Sequence, residues 1–322
     1  MQPTVILLTA AIWAAPKAPA PARPAVLLAG SHGGGCDYQL ARRLAKEGLA
    51  LRRAAGLSGR PLTWQQASRH NVIVLAGLGR ANADMTLGQT QQTIDVLRRY
   101  LRDGGGILLF GAFGQMATAK PPQEAFLKPM GLRPLFDELV LDPETSTAAT
   151  AWKLPFAHTT AVTASPVTAG VKSLWYPVPN GRPGGQNHTT SFLADDAWSV
   201  VVRGSRSSHT RPGPTPGAGR TGRLGTHRRD VPLVAVRQVG KGRIVYLGIT
   251  QEYLTGPHAA STLEGIVLER GLRGSASDGY RLFVNALRWL AAPSLASGAL
   301  GGAAMDAAML ANPHETKFRK PF

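Results

Sequence analysis

The chain predicts an α/β fold: a doubly wound, flavodoxin-like, mostly parallel central sheet with helices on both faces. Three observations carry this reading. The runs Ala25–Ala29 (AVLLA), Asn71–Ala76 (NVIVLA) and Ile107–Phe110 (ILLF) are apolar almost without a break, as strands covered on both faces are. Segments with helical apolar spacing lie between them. The third run ends in a glycine-framed turn, Gly111-Ala112-Phe113-Gly114-Gln115, where folds of this kind place functional groups.

Residues 1–24 stand outside the expected domain. Val5 to Trp13 is apolar, too short to span a bilayer, and of the length of a signal-peptide hydrophobic region. Small residues follow, with cleavage positions after Ala14 or Ala22, so the segment predicts export to a periplasmic or extracellular space. The absence of Lys and Arg ahead of it keeps a cytoplasmic alternative open. Pro16 to Pro24 reads as an extended Pro/Ala linker.

The α/β domain is expected over 25–292. After the first strand comes the loop Gly30–Gly35 (GSHGGG). Asp37 can cap a helix running to Glu47, with Leu40, Ala41 and Leu44 on one face and Gly48 as its stop. Leu49–Arg53 is a second strand and Asn71–Ala76 a third. Leu87 to Asp103 is a helix: Ile94, Leu97 and Leu101 fall at i, i+3 and i+7, and Gly104 to Gly106 end it. Met116 to Trp152 lacks a clear period. Trp198–Arg203 reads as a strand, and Leu233–Gln238 with Gly242–Gly248 as a hairpin about Val239-Gly240-Lys241. Asp278 to Leu290 is a helix with Leu282, Phe283, Ala286, Leu287 and Leu290 on one face. Residues 293–322 are expected to form a flexible tail.

Charge sets one segment apart. Lys and Arg total 36 against 19 acidic residues, a net charge of +17. Within 204–230, Arg206, Arg211, Arg220, Arg223, Arg228 and Arg229 are opposed by Asp230 alone, among Gly, Pro, Ser and Thr. So few apolar residues predict a disordered insertion, open to an acidic partner. The single cysteine, Cys36, excludes an intramolecular disulfide and a cysteine-rich metal site. The histidines show no metal-ligand spacing, so neither metal nor cofactor is expected. The GSHGGG loop lacks the Gly-Lys-Ser/Thr ending of a phosphate-binding loop.

Three segments together resemble the class I glutamine amidotransferase-like superfamily, in particular its trehalose-utilisation (ThuA-like) branch. They are Tyr100 to Phe110 (YLRDGGGILLF), His158 to Pro177 with Ser165-Pro166-Val167-Thr168-Ala169-Gly170 ahead of Leu174-Trp175-Tyr176, and Val231 to Gly248 with Gly240-Lys241-Gly242-Arg243. The resemblance covers Ala25 to Ala291 apart from the insertion. It implies a nucleophilic cysteine after the central strand, where Ala112 and Phe113 stand. It implies a late histidine two residues before a glutamate, but Glu252 has no such partner. The branch's histidines after these strands are replaced by Gly111 and Ile249. Glutaminase chemistry is therefore not expected.

The ligand-binding candidates are the residues placed by strand ends: Ser31, His32, Gly79, Gln115 and Glu252. Trp175, Tyr176 and Trp152 either stack on a sugar or pack a strand. The leading expectation is a non-catalytic binding or accessory module for a small molecule or carbohydrate, the carbohydrate link resting on family analogy. One alternative is a hydrolase or isomerase using His32, Gln115 and Glu252. The other is a polyanion or nucleic-acid binder using the arginine-rich insertion.

Overall fold

The computed structural model describes residues 23–29, 38–53, 61–75, 87–111, 120–148, 155–179, 189–212, 225–249 and 263–302. The first half alternates β1 (Ala25–Ala29), α1 (Tyr38–Lys46), β2 (Ala50–Arg53), α2 (Trp64–Ser68), β3 (Val72–Leu75), α3 (Leu87–Arg102) and β4 (Gly106–Phe110). There follow α4 (Lys120–Leu127), β5 (Leu132–Leu135), β6 (Glu138–Leu141), β7 (Thr147–Ala148), β8 (Pro155–Thr159), β9 (Leu174–Pro177) and β10 (Ser191–Ala194). Last come β11 (Ser199–Arg203), β12 (His209–Pro212), β13 (Pro232–Val239), β14 (Gly242–Leu247), α5 (Leu263–Arg270) and α6 (Gly279–Ser297).

The central sheet has seven strands in the order β11-β13-β14-β4-β3-β1-β2. The expected neighbours β1, β3 and β4 are adjacent and parallel, with β2 parallel at the edge and β14 parallel to β4. The expected hairpin forms: β13 pairs antiparallel with β14, and β11 antiparallel with β13. Small two- and three-stranded sheets hold β5 to β10 and β12.

Side chains alternate across this sheet with the period of two that a pleat imposes. Val26, Leu28, Val72, Val74, Leu108 and Phe110 join a core shared with α1, α5 and α6. Leu27, Ala29, Ile73, Leu75, Ile107 and Leu109 join a second core with α2, α3 and α4. Both faces are therefore buried, which is why the strand sequences are continuously apolar. Gly106 opens β4 because α6 crosses there: a Cβ would overlap the Leu290 carbonyl oxygen.

Two boundaries differ from expectation. The helix that was to stop near Leu290 runs through Pro293 to Ser297 and ends at Gly298 with φ +66°. Pro293 is accommodated, and the chain then docks rather than fraying. Leu300 is buried, and Asn71 Nδ2 donates to Ser294 Oγ and to the Leu300 carbonyl, both at 3.0 Å, while Asn71 Oδ1 accepts from Ala25 N at 2.9 Å. One polar side chain thus ties β1, β3 and residues 294–300 together. The flexible tail cannot begin at 293.

The second correction concerns 204–230. Its amino-terminal part folds as β12, antiparallel to β6, and residues 225–230 lead back into β13. Composition missed this because polar bonds, not apolar burial, hold the segment. Residues 213–224 lie outside the described residues, as do 1–22 and 303–322. Among the described residues, no helix is long and apolar enough to cross a membrane.

Candidate functional site at the carboxyl edge of the sheet

β1, β3, β4 and β14 are parallel, so their carboxyl ends share one edge of the sheet. In open α/β sheets this is the edge where ligands bind. Ser31, His32, Gly79, Gln115 and Glu252 follow these four strands in sequence and lie outside the described residues. The floor beneath them is defined.

At the floor the backbone of β4 meets the segment entering β10. Gly111 N donates to the Leu247 carbonyl at 2.7 Å, and Thr190 N donates to the Gly248 carbonyl at 2.9 Å. Thr190 Oγ1 donates to the same Gly248 oxygen at 3.2 Å. A Cβ on Gly111 would collide with Thr190 Oγ1 and come within 3.2 Å of the Tyr246 hydroxyl and of the Gly248 oxygen. A side chain at the first position after the central strand therefore requires the Thr190 hydroxyl to move.

Two polar side chains flank the 110–111 peptide. Gln123, on α4 and fully buried, reaches the Phe110 carbonyl with Nε2 at 3.4 Å, while its Oε1 has no partner. Tyr246, on β14 and also fully buried, packs edge-on against Phe192 with ring centroids 5.2 Å apart. Its hydroxyl faces Thr190 without forming a well-aligned hydrogen bond. Burial pushes the Tyr246 phenol up strongly, and proximity to Thr190 offsets this only in part, so the group stays a neutral O–H. An unpartnered buried polar atom costs about 1–3 kcal/mol, so two around one peptide need a reason. The described floor offers a neutral donor, a neutral acceptor and a hydroxyl. Both unpartnered atoms are fully buried, and these three side chains include no titrating base.

Sequence reasoning missed Gln123, Thr190 and Tyr246. Only Tyr246 sits in a motif that drew notice, the strand Gly242–Gly248, and there it reads as a core residue. The aromatic candidates resolve the other way. Trp175 is buried, stacks on His158 at 4.9 Å and donates Nε1 to the Ser275 carbonyl at 3.0 Å. Tyr176 is fully buried and donates to Asp142 Oδ2 at 2.5 Å. Both pack strand β9; neither presents a face to a sugar. Trp152 lies outside the described residues.

Asp142 anchors a separate polar cluster. Besides Tyr176, its carboxylate accepts from Ser205 Oγ at 2.8 Å, Ser207 Oγ at 2.5 Å and Ser205 N at 3.3 Å. With its acceptor sites filled by protein donors, the group serves structure. Nearby, burial alone would raise the Glu138 carboxyl. Hydrogen bonds from Thr210 and Thr226, and the His227 ring, outweigh that and hold it below the usual range. Among the described residues no group of His, Cys, Asp and Glu is arranged to hold a metal ion. A cavity of about 10 Å³ between the sheet and α6, lined by Leu108, Val245, Leu282 and Phe283 among others, has room for at most one water and is too small for a ligand.

No protein-family model matches the chain, and no curated protein matches it. Solved structures do. The mmIFT52 N-terminal domain superposes with a TM-score of 0.51 at 12% identity, covering 83% of this chain and 96% of that domain. A ThuA-like protein from Bacteroides uniformis ATCC 8492 gives 0.40 at 16% identity, covering 86% and 94% of the two chains. Another, from Parabacteroides merdae ATCC 43184, gives 0.42 at 12%, covering 84% and 90%. The first is a likeness of fold alone. The two looser superpositions add nothing to the topology already described.

Proposed function

We propose that the chain is a non-catalytic, amidotransferase-like binding or accessory module of ThuA-like kind, taking a neutral polar ligand at the carboxyl edge of the sheet. The observation that carries this reading is the floor at Gly111. The position after the central strand is a glycine crowded by the Thr190 hydroxyl, and Ala112 and Phe113 follow it. The same spot keeps an unpartnered phenol and an unpartnered carboxamide oxygen, both buried. A carbohydrate is the ligand class favoured by the family resemblance, and hydroxyls that both donate and accept suit the Tyr246–Gln123 pair. Ser31, His32, Gly79, Gln115 and Glu252 would form the rim, with His32 and Glu252 within about 10 Å of each other, one ligand's width.

Two measurements test the proposal. Ammonia release from glutamine should stay at background; turnover that disappears in Cys36→Ala would sink it. Calorimetry against a panel of neutral mono- and disaccharides should identify a binder, and Tyr246→Phe should weaken that binding roughly three- to tenfold, the loss expected for one neutral hydrogen bond. The same substitution should leave the free protein as stable as before or more so, because it removes a buried hydroxyl that has no partner. Weaker binding together with lost stability would mean that Tyr246 is only a packing residue.

A further inference from the structure

The arginine-rich segment was expected to be an unstructured insertion. Its two ends are instead fixed in place, at the edge of the sheet that carries the candidate site. Gly204 N donates to the Val231 carbonyl at 2.8 Å, and Thr210 N to the His227 carbonyl at 2.8 Å. Arg203 Nη1 donates to the Asp230 carbonyl at 3.2 Å, which ties Arg203 to the backbone that follows Arg228 and Arg229 in the chain. Ser191 Oγ donates to the Pro232 carbonyl at 3.0 Å, joining this neck to the floor strand.

The nearby carboxylates Asp142 and Glu138 accept from hydroxyls and backbone rather than pairing directly with these arginines, and they keep their charge, so the guanidinium groups stay available while the local net charge is reduced. Asp230 makes a loose, exposed contact with Arg229 at 3.8 Å, which contributes little. Arg203, Arg206, Arg228 and Arg229 are all exposed. Among the described residues, those between them are Gly, Ser, Thr and His with Arg211 and Pro212, so this described surface has guanidinium forks and no Phe, Tyr or Trp ring.

We propose that this neck is a binding surface for the phosphate backbone of a nucleic-acid duplex. Arginine forks match phosphate oxygens, and a duplex carries one charge per ~1.7 Å of its axis, a higher density than a membrane surface presents. Without aromatic rings the neck cannot stack unpaired bases, which argues against a single strand. Contacts confined to phosphate make the binding independent of base sequence. This inference stands apart from the small-ligand proposal, and either can fail alone.

The test is fluorescence anisotropy of the full chain with a labelled DNA duplex across a salt series. Four phosphate contacts predict a slope of log K against log salt of about −3.5. Arg206→Gln, Arg228→Gln and Arg229→Gln should each reduce the slope by about one and weaken binding roughly eightfold at 0.1 M salt. Arg102→Gln, exposed at the opposite edge of the sheet, should change neither. Absence of binding, equal losses in Arg102→Gln, or a slope indifferent to the neck variants would overturn the proposal. So would preferential binding to phosphatidylcholine–phosphatidylserine vesicles, which would assign the surface to a membrane. These side chains are exposed, and circular dichroism of each variant separates lost contacts from lost fold.

Discussion

The central sheet and the described neck, residues 203–212 and 225–230, lie side by side and are held by different means. In the sheet, β1, β3 and β4 bury every residue, and the two cores on its faces are built mainly of apolar side chains. In the neck, the polar residues Ser208 and Thr210 are buried, and the order comes from the β12–β6 ladder and from hydrogen bonds converging on Asp142 and Glu138. Apolar burial is non-directional and tolerates exchange of similar side chains. A polar hub works only with its full set of partners, because each orphaned donor is penalised in a low-dielectric setting. The lesson is that a segment poor in apolar residues is unstructured only if its polar groups also lack fixed partners.

The comparison can be broken most severely in the sheet. Phe110→Ala removes a fully buried ring packed against Phe283 at 6.4 Å and should cost about 3–5 kcal/mol by chemical denaturation. A loss under ~1 kcal/mol would show that the core around β4 is loosely packed.

The hub comes next. Asp142→Ala strands the hydroxyls of Tyr176, Ser205 and Ser207 and should cost about 3 kcal/mol. Limited trypsin digestion should then cut at Arg206, Arg228 and Arg229 faster than in the intact protein. Were the neck held by apolar burial like the sheet, the variant would be nearly neutral and the cleavage pattern unchanged.

The smallest effect is on pH. Burial is the main influence on His70 and lowers its pKa, partly opposed by the Gln66 carbonyl, with Arg52 and Arg69 acting in the same direction as burial. Its Nδ1 lies 2.8 Å from that carbonyl and so carries the proton, leaving a buried Nε2 without a partner. His227, in the neck, is likewise lowered mainly by burial. A pKa lowered by folding means that the unfolded chain takes up the proton first. The stability these residues provide is therefore complete above about pH 6.5 and is lost as the pH falls through their folded values. The melting temperature should drop by a few degrees between roughly pH 7 and pH 5. His70→Gln should flatten the drop from the sheet side and His227→Gln from the neck side. A melting temperature that rises on acidification would contradict both assignments.

Much of the architecture was legible in the sequence because burial on both faces leaves a local trace. AVLLA, NVIVLA and GILLF announce parallel strands, and the Val239-Gly240-Lys241 turn announces the hairpin. The ends of elements were not legible. Pro293 signals a helix stop by its chemistry, yet α6 passes through it and residues 294–300 dock on Asn71, whose side chain belongs to a strand more than two hundred residues earlier. The site was legible as an edge and not as a set of side chains: strand ends pointed to Ser31, His32, Gly79, Gln115 and Glu252, while Gln123, Thr190 and Tyr246 come from elements that no local pattern links.

By itself, then, the sequence determined the class of fold, the parallel core strands and the lack of a nucleophile at Ala112 and Phe113, because each is written in neighbouring residues. Tertiary structure alone decided where the polar groups find partners: the crowding of Gly111 by Thr190, the loading of Asp142 by three hydroxyls, and the fixing of the arginine neck beside the floor. The physical reason is range. Apolar periodicity is a property of a segment, whereas a hydrogen bond between residues scores of positions apart exists only once the chain has brought its two atoms within about 3 Å.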